Sequence, residues 1–156
     1  MKNIVLIGIG QKLRGDDAIG PAAVEAWEEE FSADMPSVRI EISQLPGLEL
    51  LGLFENADVA ILVDAVQSGD EVGTVHIVGL DKLISFGASS KSVHGFGVAE
   101  TLALGQKVDP KTIPDQVIII GIEAKQMNIG QGISPEILGK LPEIVTVINK
   151  TLQKQR

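Results

Sequence analysis

Asn3-Ile-Val-Leu-Ile-Gly-Ile9 is a continuous, mostly β-branched apolar run that leads into a loop at residues 10–17. Such a run is typical of a strand that is buried on both faces, in the middle of a sheet. The next segment, Ile19–Phe31, places its apolar residues at helical spacing, with glutamates on the other side. The beginning of the chain therefore predicts a strand, a loop and a helix.

The same alternation of apolar runs and amphipathic segments continues along the rest of the chain. The further predicted strands are residues 38–42, 59–63, 74–78 and 116–122, and the further predicted helices are residues 48–54, 95–104 and 135–153. The strand at 74–78 is short and follows a turn, so we expect it to be an antiparallel edge strand. The order favours an α/β fold, a single-domain three-layer αβα structure over residues 1–156, with a mostly parallel twisted sheet and helices on both faces.

The composition limits the classes of protein to which the chain can belong. With 44% hydrophobic and 22% charged residues, a chain of 156 residues can build a full core without a disulfide or a structural metal. It contains no cysteine, which excludes a thiol nucleophile and a cysteine zinc site. No apolar run approaches the roughly 20 residues that span a bilayer, and residues 1–3 lead directly into the first strand pattern. These features predict a cytoplasmic protein with no membrane association.

The charge limits the choice of partner. A formal net charge of −8 repels phosphate backbones, so we do not expect a nucleic-acid partner. A basic protein partner would suit this charge, but charge of this size also simply keeps a small protein in solution. We expect a monomer.

The glycine-rich loop after the first strand reads Gly8-Ile-Gly-Gln-Lys-Leu-Arg-Gly-Asp-Asp-Ala-Ile-Gly20. A dinucleotide-binding fingerprint would need a glycine at Leu13, and Asp16 and Asp17 would place two negative charges where the pyrophosphate binds. The phosphate-loop pattern is absent as well. An ordinary acidic cap on the following helix is the alternative interpretation of Asp16 and Asp17.

Asp64 directly follows the apolar run Val-Ala-Ile-Leu-Val, which places a carboxylate at the carboxyl edge of a central strand. A half-buried carboxylate there is costly unless a cation, a metal or backbone donors compensate its charge. Asp64 is therefore a candidate site residue, and a cap on the adjacent loop is the alternative.

The two histidines of the chain differ in their settings. His76 alternates with Val75 and Ile77 in the edge strand, which predicts an exposed structural position. His94 lies in a glycine- and serine-rich approach to a helix, without an apolar stripe to explain it. Neutral imidazole is a common ligand of zinc and nickel, so His94 is the candidate ligand of the two.

Asp17, Asp64 and His94 each fall at the carboxyl side of a predicted strand or at a helix start facing that edge. Two carboxylates and one imidazole form a half-shell that suits a divalent transition metal, with positions left open for a ligand from a substrate. The residues predict a metal-dependent site but do not identify the reaction.

Four segments, in order, resemble the nickel-iron hydrogenase maturation endopeptidases over nearly the whole chain. They are the glycine-rich stretch 7–20, Val-Ala-Ile-Leu-Val-Asp-Ala-Val at 59–66, Ser-Val-His-Gly-Phe-Gly at 92–97, and the closing part 119–143 with Ile-Ile-Gly-Ile-Glu and Ser-Pro-Glu. Two positions depart from the family pattern. Gln11 stands where many members carry Asn. Residues 43–47 look closer to the Gln-Leu-Thr-Pro type of the family than to the Asp-Gly-Gly-Thr type, and this second difference bears on which class of hydrogenase the enzyme would process.

The resemblance implies that Asp17, Asp64 and His94 form the catalytic and metal-binding centre. It implies an endopeptidase that removes the C-terminal extension of a nickel-iron hydrogenase large-subunit precursor after nickel insertion. The enzyme would recognise nickel carried by that precursor and would need no organic cofactor. Whether Asp16 or another carboxylate acts as the base stays open at this stage.

Two other functions use the same residues. A nickel-binding accessory or chaperone-like protein would recognise the large subunit without cutting it. A metal-free hydrolase of small molecules would use Asp17 and Asp64 as acid and base. The half-shell has three protein donors and no thiolate, so we expect it to bind free metal weakly.

Overall fold

A computed structural model describes residues 1–44, 47–82 and 98–156 of the chain. In these ranges one five-stranded sheet has the order β2-β1-β3-β5-β4. The strands are β1 Ile4–Ile9, β2 Arg39–Ser43, β3 Val59–Val66, β4 Val75–Gly79 and β5 Gln116–Glu123. The four strands β1, β2, β3 and β5 pair in parallel, and β4 pairs antiparallel with β5 at the edge. The predicted antiparallel edge strand is confirmed.

Helices cover both faces of this sheet. They are α1 Ile19–Phe31, α2 Glu49–Leu53, α3 Val98–Val108, α4 Pro135–Leu138 and α5 Leu141–Gln155, with 3-10 turns at Gly15–Ala18, Ser32–Asp34 and Pro110–Thr112. In the described parts of the chain, none of these helices combines the length and the apolar character that crossing a bilayer requires. The predicted bounds of α1 are confirmed at both ends.

Two apolar cores lie on opposite faces of the sheet because successive strand residues point to opposite sides. On one face, Leu6 and Ile61 pack with residues of α1 and α5, and the indole Nε1 of Trp27 donates to Oδ1 of Asn149 at 3.1 Å. On the other face, Ile7 packs with residues of α2 and α3. This arrangement confirms the predicted three-layer αβα architecture.

The last predicted helix is wrong in one respect, since residues 135–153 form two helices, α4 and α5, rather than one. Pro142 lies in the first turn of α5. It has no N–H for the carbonyl of Leu138, and its ring would collide with that carbonyl in a continuous helix. The predicted glycine- and serine-rich stretch 85–92 and the start of the predicted helix at 95 lie outside the described residues.

Helix α1 begins in direct contact with two strands. A methyl group on Gly20 would lie 2.3 Å from the carbonyl oxygen of Ile9 and 2.4 Å from that of Val63. A methyl group on Gly8 would lie 2.8 Å from the carbonyl oxygen of Gly20. Both positions therefore require glycine, and this contact fixes the start of α1 over the carboxyl ends of β1 and β3.

We expect Gly20→Ala to destabilise the fold by about 1–3 kcal/mol or more, because backbone oxygens cannot move aside as a flexible side chain can. Gly52→Ala is the matched control, since Gly52 also lies in a helix but has nothing within 4 Å of the added methyl group. That control should be neutral or stabilising by up to about 1 kcal/mol. Urea unfolding of both variants measures the difference, and equal stabilities would contradict the close contact.

Candidate functional site

The sheet reverses its strand order between β1 and β3. The chain passes from β1 to β2 on one side and then returns to place β3 on the other side of β1. In open α/β sheets, ligands bind at such a switch point, beyond the carboxyl ends of the strands. Asp17 lies in the 3-10 turn after β1, and Asp64 lies in β3. The structure thus brings two of the three predicted site residues to this edge.

Asp17 is held against the end of β1. It is fully buried, and its Oδ2 accepts a hydrogen bond from the backbone N–H of Gln11 at 2.9 Å. A methyl group on Gly10 would lie 1.9 Å from the carbonyl oxygen of Asp17 and 3.2 Å from its Oδ1. Gly10 has a φ of 145°, a conformation that other residues rarely adopt. Glycine at this position therefore allows the carboxylate to lie directly against the strand end.

Asp64 lies within its strand rather than after it, which corrects the sequence prediction. β3 continues to Val66, and Asp64 pairs with Gly121 of β5. On its other side, Gly8 of β1 pairs with Val63, so Asp64 is level with the last residue of β1. The longer strand is explained by β5, which continues beside β3 as far as Glu123. Asp64 is 6% exposed, so it is more buried than its predicted position implied.

The turn that carries Asp17 packs against the strand that carries Asp64. The contact of Gly20 with the carbonyl of Val63 explains this packing, because Val63 immediately precedes Asp64. His94, the third predicted residue, lies outside the described residues. Its place in the site stays a prediction.

Asp16 has a different role from Asp17, although both are fully buried. Its Oδ2 accepts hydrogen bonds from the backbone N–H groups of Lys125 at 2.9 Å and Gln126 at 3.1 Å. The backbone N–H of Ser134 donates to Oδ1 at 2.6 Å, and the Ser134 hydroxyl donates to Oδ2 at 2.9 Å. Four donors thus compensate this charge, and they tie the loop after β1 to the segment after β5.

These contacts rule out one interpretation of the acidic pair and weigh against another. The residues at the cap positions are Arg14 for the 3-10 turn and Ala18 for α1, so neither aspartate caps a helix. The carboxylate of Asp16 is fully buried and accepts four hydrogen bonds, which favours a structural role for it over that of a base.

Ser134 holds the cap position immediately before α4. It makes no side-chain cap hydrogen bond; its hydroxyl donates to Asp16, and its oxygen accepts from Nε2 of Gln126 at 3.3 Å. Nearby, Nζ of Lys125 lies 2.7 Å from Oε2 of Glu136 on the surface. This hydrogen-bonded ion pair raises the pKa of Lys125 and lowers the pKa of Glu136. The segment after β5 is therefore attached to both the β1 loop and α4.

A second group of polar side chains lies at the β4 side of the same sheet edge, and the sequence prediction missed it. The side chain of His76 is 15% exposed rather than exposed as predicted. Its Nε2 lies 3.2 Å from Oε1 of Glu123 and 3.4 Å from Oδ2 of Asp70. Gly121 lies opposite His76 in the β4–β5 pair. Glu123 could have been identified from the sequence in the same way as Asp64, because it is an acidic residue at the end of an apolar run.

Comparison with known proteins gives one family. A family model described as hydrogenase maturation protease matches residues 45–151. The hydrogenase expression/formation protein HoxM of Azotobacter vinelandii is 31% identical over 127 residues, which cover 81% of this chain and 60% of that protein. The hydrogenase 2 maturation protease of Escherichia coli K12 is 28% identical over 86% of this chain and 80% of that protein. The chain spans about 60% of the length of several curated relatives.

A solved structure shares the fold. The hydrogenase maturating endopeptidase HybD of E. coli aligns with a TM-score of 0.83, covering 99% of this chain and 94% of that one, at 24% sequence identity. This similarity extends over the whole sheet and its helices.

We expect Asp16→Asn to lower the free energy of unfolding by about 1.5–3 kcal/mol, because an amide nitrogen would face backbone donors that now bind a carboxylate. Asp115→Asn, at an exposed aspartate, is the control and should change stability by less than about 0.5 kcal/mol. Ser134→Ala should show a coupling with Asp16→Asn of at least about 0.5 kcal/mol in a double-mutant cycle. Additive effects in urea unfolding would contradict a direct contact.

Proposed function

The chain belongs to the hydrogenase maturation protease family, and on that basis we propose that it is an endopeptidase acting on a nickel-iron hydrogenase large-subunit precursor. It removes the C-terminal extension of that precursor after nickel has been inserted, and it recognises the nickel that the precursor carries. The observation that supports this proposal most strongly is the placement of Asp17 and Asp64, two buried carboxylates, at the switch point of the sheet.

The donor set fits nickel as a cargo of the substrate. Carboxylate oxygens from Asp17 and Asp64, with the imidazole of His94 as the third donor, form a half-shell of the kind that borderline divalent metals accept. Three donors leave coordination positions for the precursor's own cysteine ligands. Because the chain has no cysteine, it does not offer the strongest ligands for such a metal, and the precursor keeps its nickel.

The burial of the two aspartates gives this recognition its selectivity. A buried carboxylate loses hydration, so its attraction to a divalent cation is less weakened by water than that of a surface group. A precursor without nickel would instead bring an uncharged or thiol-lined surface to two negative charges. Asp17 and Asp64 therefore favour the nickel-loaded precursor over the nickel-free one.

The same contacts position the peptide bond. Asp17 and Asp64 hold the metal-bearing part of the precursor at the edge of the sheet, so the chain that leads to the C-terminal extension lies beside them. Bound nickel would serve as a template and would polarise a carbonyl or a water. Asp16 fixes the loop after β1 that carries Asp17, and it takes no part in proton transfer. With no cysteine in the chain, an acyl-enzyme on a thiol is excluded.

We expect Asp64→Asn, Asp17→Asn and His94→Ala each to abolish processing of the precursor while leaving the fold intact. Loss of a ligand should cost more than the roughly 10–100-fold that loss of a supporting residue costs. Asparagine keeps the size of aspartate, and its Oδ1 can still accept the hydrogen bond from the N–H of Gln11, so the aspartate variants should stay folded. Mass spectrometry of the precursor after incubation measures cleavage, and circular dichroism checks the fold.

Asp34→Asn, at an exposed aspartate, is the matched control and should process at the normal rate. A site variant that also processes normally would remove that residue from the centre. If every variant and the wild type bind the precursor but none cuts it, the chain is an accessory protein rather than a protease.

We expect chelator-treated enzyme to cut a nickel-loaded precursor and not a nickel-free one. The half-shell binds free metal weakly, so the metal must arrive with the precursor's other ligands around it. The test incubates stripped enzyme with both precursors and follows the C-terminal extension by mass spectrometry. Equal cleavage of both would overturn nickel recognition. A strict need for metal added back to the enzyme would instead identify a conventional metallopeptidase.

A further inference from the structure

Asp70, His76 and Glu123 bring two carboxylates and one imidazole together outside the proposed nickel-recognition site. Their ligand atoms all lie within 4.8 Å of one another. We propose that they form a second divalent-metal site, which binds Zn²⁺ and is independent of peptide cleavage. The bound ion connects the loop between β3 and β4, residues 67–74, to the end of β5.

The two separations that involve His76 are close to those of a tetrahedral site. Nε2 of His76 lies 3.2 Å from Oε1 of Glu123 and 3.4 Å from Oδ2 of Asp70. Zinc bonds to nitrogen and oxygen of about 2.0–2.2 Å give tetrahedral edges of about 3.3–3.6 Å. Both separations thus lie close to those of zinc ligands, and they would need only small adjustments on binding.

Glu123 is oriented for this role by Ser68. The backbone N–H of Ser68 donates to both carboxylate oxygens of Glu123, at 3.0 and 3.2 Å, and its hydroxyl donates to Oε1. Metal ligands are commonly held in this way by neighbouring hydrogen-bond donors, which fix the direction of their lone pairs. The backbone of Glu123 is fixed as well, since its carbonyl accepts from the N–H of Gly73 and its N–H donates to the carbonyl of Thr74.

The charge balance of the cluster also favours a cation. Glu123 is 2% exposed, and Ser68 and His76 supply the hydrogen-bond partners that its buried carboxylate requires. Over residues 1–44, 47–82 and 98–156, the ion pairs of Asp70 and Glu123 are with His76, and no lysine or arginine contacts either carboxylate. One imidazole faces two negative groups, whereas a divalent ion would balance both.

The cluster is separate from the proposed nickel-recognition site but lies at the same sheet edge. Asp64, Gly121 and His76 occupy one row across β3, β5 and β4. Two strand spacings separate the Cα atoms of Asp64 and His76, which corresponds to about 10 Å. Asp64 does not belong to the group whose ligand atoms all lie within 4.8 Å of one another, so the two sites can be tested individually.

The test titrates chelator-treated protein with Zn²⁺ alone, using isothermal calorimetry and thermal unfolding. We expect wild-type protein to bind Zn²⁺ at the cluster and, at about a hundredfold excess over Kd, to gain roughly 5–10 °C in Tm. Asp70→Asn, at a side chain 60% exposed, should fold normally and should weaken that binding by at least about 100-fold. His76→Gln should do the same, and Ser68→Ala should weaken it by about 10–100-fold.

Two variants serve as controls. Glu71→Gln changes an exposed carboxylate in the same loop and should bind Zn²⁺ as wild type does. Asp64→Asn should also keep the cluster's zinc, even where it abolishes processing. Zinc binding that survives in both Asp70→Asn and His76→Gln would overturn the proposal, because the ion would then lie elsewhere. Absence of zinc binding to wild-type protein would overturn it too and leave the cluster as an ion pair.

Discussion

The close approach of α1 to β1 and β3 is the constraint on which the site depends. Gly20 has no room for a methyl group between the carbonyl oxygens of Ile9 and Val63, so the helix begins in contact with both strands. The 3-10 turn Gly15–Ala18 immediately before the helix must therefore lie at the carboxyl edge of the sheet. That turn carries Asp17, and the strand below it carries Asp64. A wider helix-to-sheet separation would move the two carboxylates apart.

The adjacent aspartates divide two tasks between them because neighbouring residues in a tight turn point in different directions. Asp16 points toward the segment after β5 and accepts four hydrogen bonds from it, whereas Asp17 points toward the end of β1. The first contact holds the two sides of the crevice together across more than 100 residues of sequence. The second holds the carboxylate of Asp17 against the end of β1, at the proposed nickel-recognition site. In that proposal, structural support and ligand binding are separated within one dipeptide.

The sequence was sufficient to predict a helix or strand where the residue pattern of that one segment determines its structure. β1 and α1 follow from their apolar spacing, and the αβα order follows from alternation along the chain. The break before α5 was missed because the helical pattern continues through Pro142, although its missing N–H ends the hydrogen-bond series. The burial of His76 was missed for another reason. Its partner Glu123 belongs to a different strand and becomes its neighbour only in the folded sheet.

Asp64 and Glu123 show which features of a site can be predicted from the sequence and which cannot. Each is an acid at the end of an apolar run, and both are buried in neighbouring strands at the same sheet edge. Burial makes each charge costly, and that cost can be inferred from the run alone. The groups that compensate the charge cannot be inferred in this way, because Ser68 and His76 reach Glu123 from the β3–β4 loop and from β4, which become its neighbours only in the folded sheet. A buried acid in a sequence therefore indicates that a partner is required, and only the tertiary neighbours determine which chemical group that partner is.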